Sequence, residues 1–97
     1  MANSLVSIQI IPKTPNGVDV IPFVDRAIEV MKEAGVKYQV NPLETTMEGE
    51  MGDLLRVIER MNEAMIEMGC ASVISQVKIV YRPSGITMDE LTEKHRP

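Results

Sequence analysis

The residues best equipped for chemistry gather at positions 38–50, YQVNPLETTMEGE. The stretch joins an Asn41-Pro42 kink, the hydroxyls of Thr45 and Thr46, and a Glu48-Gly49-Glu50 junction ahead of an apolar, helix-like pattern. The Glu48 carboxylate has lone pairs to accept from the exocyclic amine or a ring N–H of an aminopyrimidine. The competing reading needs no ligand: Glu48 and Glu50 both stand where a helix begins, and a carboxylate is stabilised near that positive end. Lys78, in a later apolar run, would give Glu48 a partner for acid–base work. No nucleophile, metal cluster or cofactor loop accompanies the pair, so the chain is not expected to be an enzyme.

His95 is the sole histidine and Cys70 the sole cysteine. A metal site wants several ligands at matched spacing, and an activated thiol wants a cationic neighbour; neither is visible. A lone cysteine also rules out an intramolecular disulfide. There is no Walker or GxGxxG loop. Met61, Met65 and Met68 repeat at helical spacing and read as core packing. Glu59, Glu63 and Glu67 line one helix face as a solvated row, partly offset by Arg56 and Arg60.

The elements that must position these groups follow from periodicity. Residues 5–11 alternate, with Val6, Ile8 and Ile10 on one side and Ser7 and Gln9 on the other, as in a strand with one buried face. Pro12, Pro15, Asn16 and Gly17 end it with turn chemistry. Asp19 caps a helix starting at Val20, with Pro22 tolerated in its first turn. Its apolar stripe is Phe23, Ala27, Val30 and Ala34, widened by Val24, Ile28 and Met31, and Gly35 closes it. Residues 37–41 form a short strand, and residues 43–49 a second one beyond Pro42. A helix over residues 51–68 presents Leu54, Ile58, Met61, Met65 and Met68, flanked by Leu55 and Ala64, and ends at Gly69. Residues 72–81 make the last strand; Thr87 caps a helical turn in the tail.

The order is strand, helix, strand, strand, helix, strand. With right-handed crossovers this is an α+β, ferredoxin-like βαββαβ sandwich: a four-stranded antiparallel sheet with two helices on one face. One domain over residues 1–97 is expected, with its core at about 4–82 and a C-terminal tail at 83–97. Strand parity assigns Val73, Val77, Ile79, Leu43, Thr45 and Met47 to the helix side. The other side then carries Leu5, Ser7, Gln9 and Ile11, Glu44, Thr46 and Glu48, and Ile74, Gln76, Lys78 and Val80. This mixture of apolar groups, hydroxyls, amides and charges is neither a solvated face nor a packing face. It suits a subunit interface with a polar pocket.

A formal net charge of −4, from 14 acidic and 10 dispersed basic residues, speaks against a nucleic-acid partner, since phosphate backbones are held by clustered Lys and Arg. The central strands lack the stacking aromatics of RNA-binding sheets. No basic, then apolar leader opens the sequence, and no run approaches the ~18 apolar residues of a membrane span. A cytoplasmic protein without a membrane partner is expected.

The spacing Tyr38-x-x-Asn41-Pro42-x-x-Thr45-x-x-Glu48-Gly49-Glu50 resembles a small thiamine-binding family long catalogued as uncharacterised. The strand SQVKIVYR, residues 75–82, with its hydroxyl at Ser75, Lys78 and Arg82, is similar to that family's hydroxyl–Lys–Arg pattern. The resemblance implies a ferredoxin-like fold, self-association through the sheets to a dimer or tetramer, and non-catalytic binding of thiamine or its hydroxymethylpyrimidine part, with no cofactor. Thr45, Glu48, Gly49, Lys78 and Arg82 match the pattern; with Thr46, Tyr38 and Ser7 they are the expected ligand-binding residues. The alternative is a structural or regulatory oligomerisation module with no small-molecule ligand.

Overall fold

The computed structural model describes residues 2–95; Met1 and residues 96–97, the extremes of the expected domain range, lie outside. Its elements are β1 (Ser4–Pro12), α1 (Ile21–Ala34), β2 (Lys37–Val40), β3 (Thr45–Gly49), α2 (Met51–Glu67), β4 (Val73–Tyr81) and α3 (Met88–Thr92), with single 3-10 turns at Pro15–Gly17 and Glu93–His95. The strands form one antiparallel sheet in the order β2-β3-β1-β4. This is the expected α+β, ferredoxin-like arrangement, with a third, short helix added.

Local chemistry starts and stops each piece. Asp19 Oδ1 accepts from the Ile21 N–H at 3.1 Å, which satisfies one orphan donor of α1. Gly35 ends that helix at φ 76°, a conformation that is cheap only without a Cβ. No side chain at its own N-cap serves α2; Asn3 Oδ1 instead accepts from the Met51 N–H at 3.0 Å. The Asn3 carbonyl also accepts from the Arg82 N–H at 2.8 Å, so one residue ties together the start of β1, the start of α2 and the exit of β4.

The core lies between α1, α2 and one sheet face. Val6, Ile8, Phe23, Ala27, Val30, Met31, Met47, Leu54, Val57, Met61, Ala64 and Met65 are all buried there. Three sequence expectations shift. In α2 the buried stripe passes through Val57, whereas Leu55 and Met68 are exposed; in α1, Ala34 is exposed. Positions 54, 57, 61, 64 and 65 share one face at the 3.6-residue period, with Leu55 turned away from it and Met68 at the helix C-cap. Leu43, 78% exposed, lies in the β2–β3 turn rather than in a strand, because the Asn41 N–H bonds the Glu44 carbonyl and the ladder resumes only at Thr45. Val77 and Ile79 have the expected parity but are 38% and 44% exposed. They lie on an edge strand past Val73 and Ser75, the part of it that α2 still touches.

The core assignment is testable on adjacent residues of α2. Leu54→Ala should cost about 2–5 kcal/mol in urea unfolding, whereas Leu55→Ala, on the exposed side, should stay within about 0.5 kcal/mol.

Candidate functional site

Because strand side chains alternate, pairing register alone determines which groups share the face away from α1 and α2. Across the sheet, Lys78 pairs with Ser7, Ser7 with Thr46, and Thr46 with Gln39, giving one polar row over all four strands. The row above it is Val80, Leu5, Glu48 and Lys37. Below it, Gln9 pairs with Gln76, and Ile11 pairs with Ile74. The face is therefore polar in the middle and apolar toward both ends on β1 and β4.

The middle row is already knitted together. Ser7 Oγ and Thr46 Oγ1 share a hydrogen bond at 2.8 Å. Lys78 Nζ donates to Glu44 Oε1 at 3.0 Å, with the lysine side chain 76% exposed. An ion pair that open contributes only ~0–1 kcal/mol and exchanges partners at little cost. Gln39 Nε2 donates to Asn41 Oδ1 at 3.3 Å on the same side of β2.

The upper end is covered by the chain's own C-terminal segment. Leu5, Ile86 and Met88 form a second, small buried cluster. The Ile86 N–H donates to the Ala2 carbonyl at 3.1 Å. The Met88 N–H, a first-turn donor of α3 with no helical acceptor, donates to Glu48 Oε1 at 2.7 Å. Lys37 Nζ bridges Glu48 Oε2 at 3.8 Å and Asp89 Oδ2 at 3.6 Å. Thr87 and Glu90 complete a reciprocal capping box. Arg82 Nε donates to the Gly85 carbonyl at 2.7 Å, and its guanidinium pairs with Glu90. Where α3 overhangs the sheet there is a cavity of about 210 Å³ lined by Leu5, Gln39, Asn41, Thr46, Met88, Leu91 and Thr92.

The eight expected site residues thus separate. Ser7, Thr46, Glu48 and Lys78 share the face, but Glu48 and, past the end of β4, Arg82 are engaged in holding the C-terminal segment. Tyr38, Thr45 and Gly49 belong to the helix side. Tyr38 packs on the main core, Thr45 is buried opposite Ile8, and a Cβ on Gly49 would meet Leu54 Cδ2 at 3.2 Å. Parity explains this: each is one residue out of step with the face-lining set. Sequence reasoning passed over Gln39, took Asn41 only for a kink and a motif position, and passed over Met88 and Leu91. The alternation of Lys37, Gln39 and Asn41 with Tyr38 and Val40 carried the signal for the first two, and Met88 and Leu91 one helical turn apart carried it for the others.

Among the described residues no three His, Cys or acidic side chains gather to hold a metal ion. Cys70 is buried. No described helix is long and apolar enough to cross a membrane.

Comparison with known proteins places this geometry in context. A family model described as "Thiamine-binding protein" matches residues 6–96. A UPF0045 protein of Clostridium perfringens is 45% identical over 91 residues, covering 94% of this chain and 95% of that protein. A Bacillus cereus structure described as a domain of unknown function superposes with a TM-score of 0.90 at 41% identity, over 98% of this chain and 92% of that one. A Thermotoga maritima crystal structure, provisionally described as a thiamine biosynthesis/salvage protein, superposes with a TM-score of 0.86 at 31% identity, over 97% of this chain and 99% of that one.

Replacing Glu48 by Ala strips the acceptor from the Met88 N–H, a loss of about 1–3 kcal/mol when a sheltered donor is left unpaired. Hydrogen exchange should quicken at residues 86–92 while the β1 and β3 amides keep their protection. Equal quickening throughout would mean that Glu48 supports the sheet rather than the C-terminal segment.

Proposed function

We propose, from the premise that this chain belongs to the thiamine-binding protein family, that it binds thiamine or its hydroxymethylpyrimidine part without turnover, on the uncovered sheet face between copies of itself. The observation that carries this reading is the row Lys78–Ser7–Thr46–Gln39, which runs from a free sheet edge into a cavity walled by α3. A face designed only for water has no use for Ile11, Ile74 and Val80 around such a row. A face designed only for packing has no use for the row.

The ligand chemistry follows from the sides of that cavity. Leu5, Met88 and Leu91 supply apolar surface for a heteroaromatic ring, worth roughly 25 cal/mol for each Å² removed from water. Thr46 and Ser7 offer hydroxyls that donate or accept. Glu44, outside that cavity and paired with Lys78, would offer a ligand cation a carboxylate on the same face. In this reading Glu48 and Arg82 shape the pocket by fixing α3, and Ser7, Thr46 and Lys78 face the ligand.

Self-association is the second half of the proposal, and the shape of the chain supports it. The radius of gyration is 14.0 Å, against ~12.5 Å for a compact domain of this length. The accessible surface is 6183 Å², against ~5,500 Å² for a compact monomer of 10.8 kDa. The nine residues of β4 leave one edge unpaired and expose Ile74, Val77, Ile79, Val80 and Tyr81. An edge of that length and hydrophobicity is normally covered. The same edge favours the second reading, an oligomerisation module with no ligand.

Titration calorimetry with thiamine and with hydroxymethylpyrimidine separates the two. Heat, a rise in melting temperature and recovery of unaltered ligand are the expected results. Silence by both methods at millimolar ligand would leave only the oligomerisation module, and a monomer in light scattering at micromolar concentration would remove that as well.

A further inference from the structure

Resting on the reading that a pyrimidine is bound on this face, we propose that the paired side-chain amides of Gln39 and Asn41 are what reads its amino edge. Gln39 faces the uncovered side from β2 and Asn41 stands just past the end of that strand, and both line the cavity beneath α3. They hold each other: Gln39 Nε2 donates to Asn41 Oδ1 at 3.3 Å. The Asn41 backbone is fixed in turn by its N–H bond to the Glu44 carbonyl at 3.1 Å.

The argument is one of donors and acceptors. A side-chain amide carries a carbonyl acceptor and an NH₂ donor. The bond between these two amides uses a donor of Gln39 and a lone pair of Asn41. The pair is left with the Gln39 carbonyl as an outward acceptor and the Asn41 NH₂ as an outward donor. Turning both amides over exchanges the roles and still leaves one of each. The amino edge of a 4-aminopyrimidine is the complement: an exocyclic N–H donor beside a ring-nitrogen acceptor. Asn and Gln side chains recognise adenine through a comparable pair, its exocyclic amine and a nearby ring nitrogen.

Glu48 is poorly suited to that task in the folded chain. Its carboxylate offers acceptors alone when ionised, so it would satisfy the amine and oppose the ring nitrogen. Its Oε1 is already occupied by the Met88 N–H at 2.7 Å. The cavity volume points the same way. At about 210 Å³ it falls below the ~300–1,000 Å³ of pockets for drug-sized ligands, which suits one heteroaromatic ring. The remainder of a larger ligand would run out along the Thr46–Ser7–Lys78 row.

The test compares two probes, hydroxymethylpyrimidine and the same compound without its amino group, on the wild-type chain and on Gln39→Leu, Asn41→Ala and Glu48→Gln. Wild type should prefer the amino compound by roughly tenfold to a hundredfold, the range of a good bidentate pair. Gln39→Leu and Asn41→Ala should lose most of that preference, whereas Glu48→Gln, whose amide oxygen can still accept from the Met88 N–H, should keep the ratio while overall affinity falls. Gln39→Leu leaves the strand ladder intact, so it carries the test if the turn at Asn41 does not tolerate Ala. Full preference in a normally folded Gln39→Leu protein, or its loss in Glu48→Gln alone, would overturn the assignment. Equal binding of both probes by wild type would overturn it too while leaving the binding function standing. Wild-type failure to bind either probe or thiamine would instead remove the function on which it rests.

Discussion

The alternation of β1 is the constraint on which the rest depends. This strand is central, paired on one side to β3 and on the other to β4. Its even-numbered Val6 and Ile8 are buried under α1 and α2, and its odd-numbered Leu5, Ser7, Gln9 and Ile11 point the other way. A slip of one residue would exchange the two sets and put hydroxyls and amides in the core. Since both crossover helices fall on one side, the odd-numbered set has no second layer of helices to meet. Every functional statement about this chain concerns how that side is completed.

Part of the completion comes from the chain itself, and it determines what Glu48 does. At the end of the face where β1 presents Leu5, the C-terminal segment folds back and buries it with Ile86 and Met88. The Glu48 side chain is only 12% exposed, and a sheltered carboxylate must be paired or hydrogen-bonded. The Met88 N–H and Lys37 meet that need. A carboxylate whose bonds are committed to an α3 terminus is a fixture of the wall. In the proposed reading, recognition moves one row along the sheet, to groups whose hydrogen-bonding capacity is less completely used.

The parity of this face was readable in the sequence because it is a property of each strand alone. The Ser7, Thr46 and Lys78 row and the caps at Asp19, Gly35 and Thr87 are local facts of the same kind. What escaped was non-local. That Val77 and Ile79 would be exposed depends on β4 being an edge strand, which is a matter of sheet order rather than of their own spacing. That Glu48 would bind Met88 joins residues 40 positions apart. Strand parity had already put Thr45 on the helix side, but the motif named it together with Tyr38 as a ligand residue by spacing alone, and spacing does not say which side of a strand a residue takes. Once the register was known, both fell on the helix side.

The proposed pairing of copies gives the remaining charges a role that a lone chain does not. Two-fold association brings a surface patch against itself, so a patch carrying both signs is self-complementary. Lys78 and Glu44 form such a patch, bonded across the face at 3.0 Å and still largely open to water on the lysine side. Between two copies, each lysine would have its own glutamate and the partner's as alternatives, at a depth where an ion pair is worth more than on a wet surface. A cationic guest entering there would compete with Lys78 for the same carboxylates. The uncovered face would then have to open its own ion pairs to admit a ligand, which couples occupancy of the pocket to how tightly the copies hold each other.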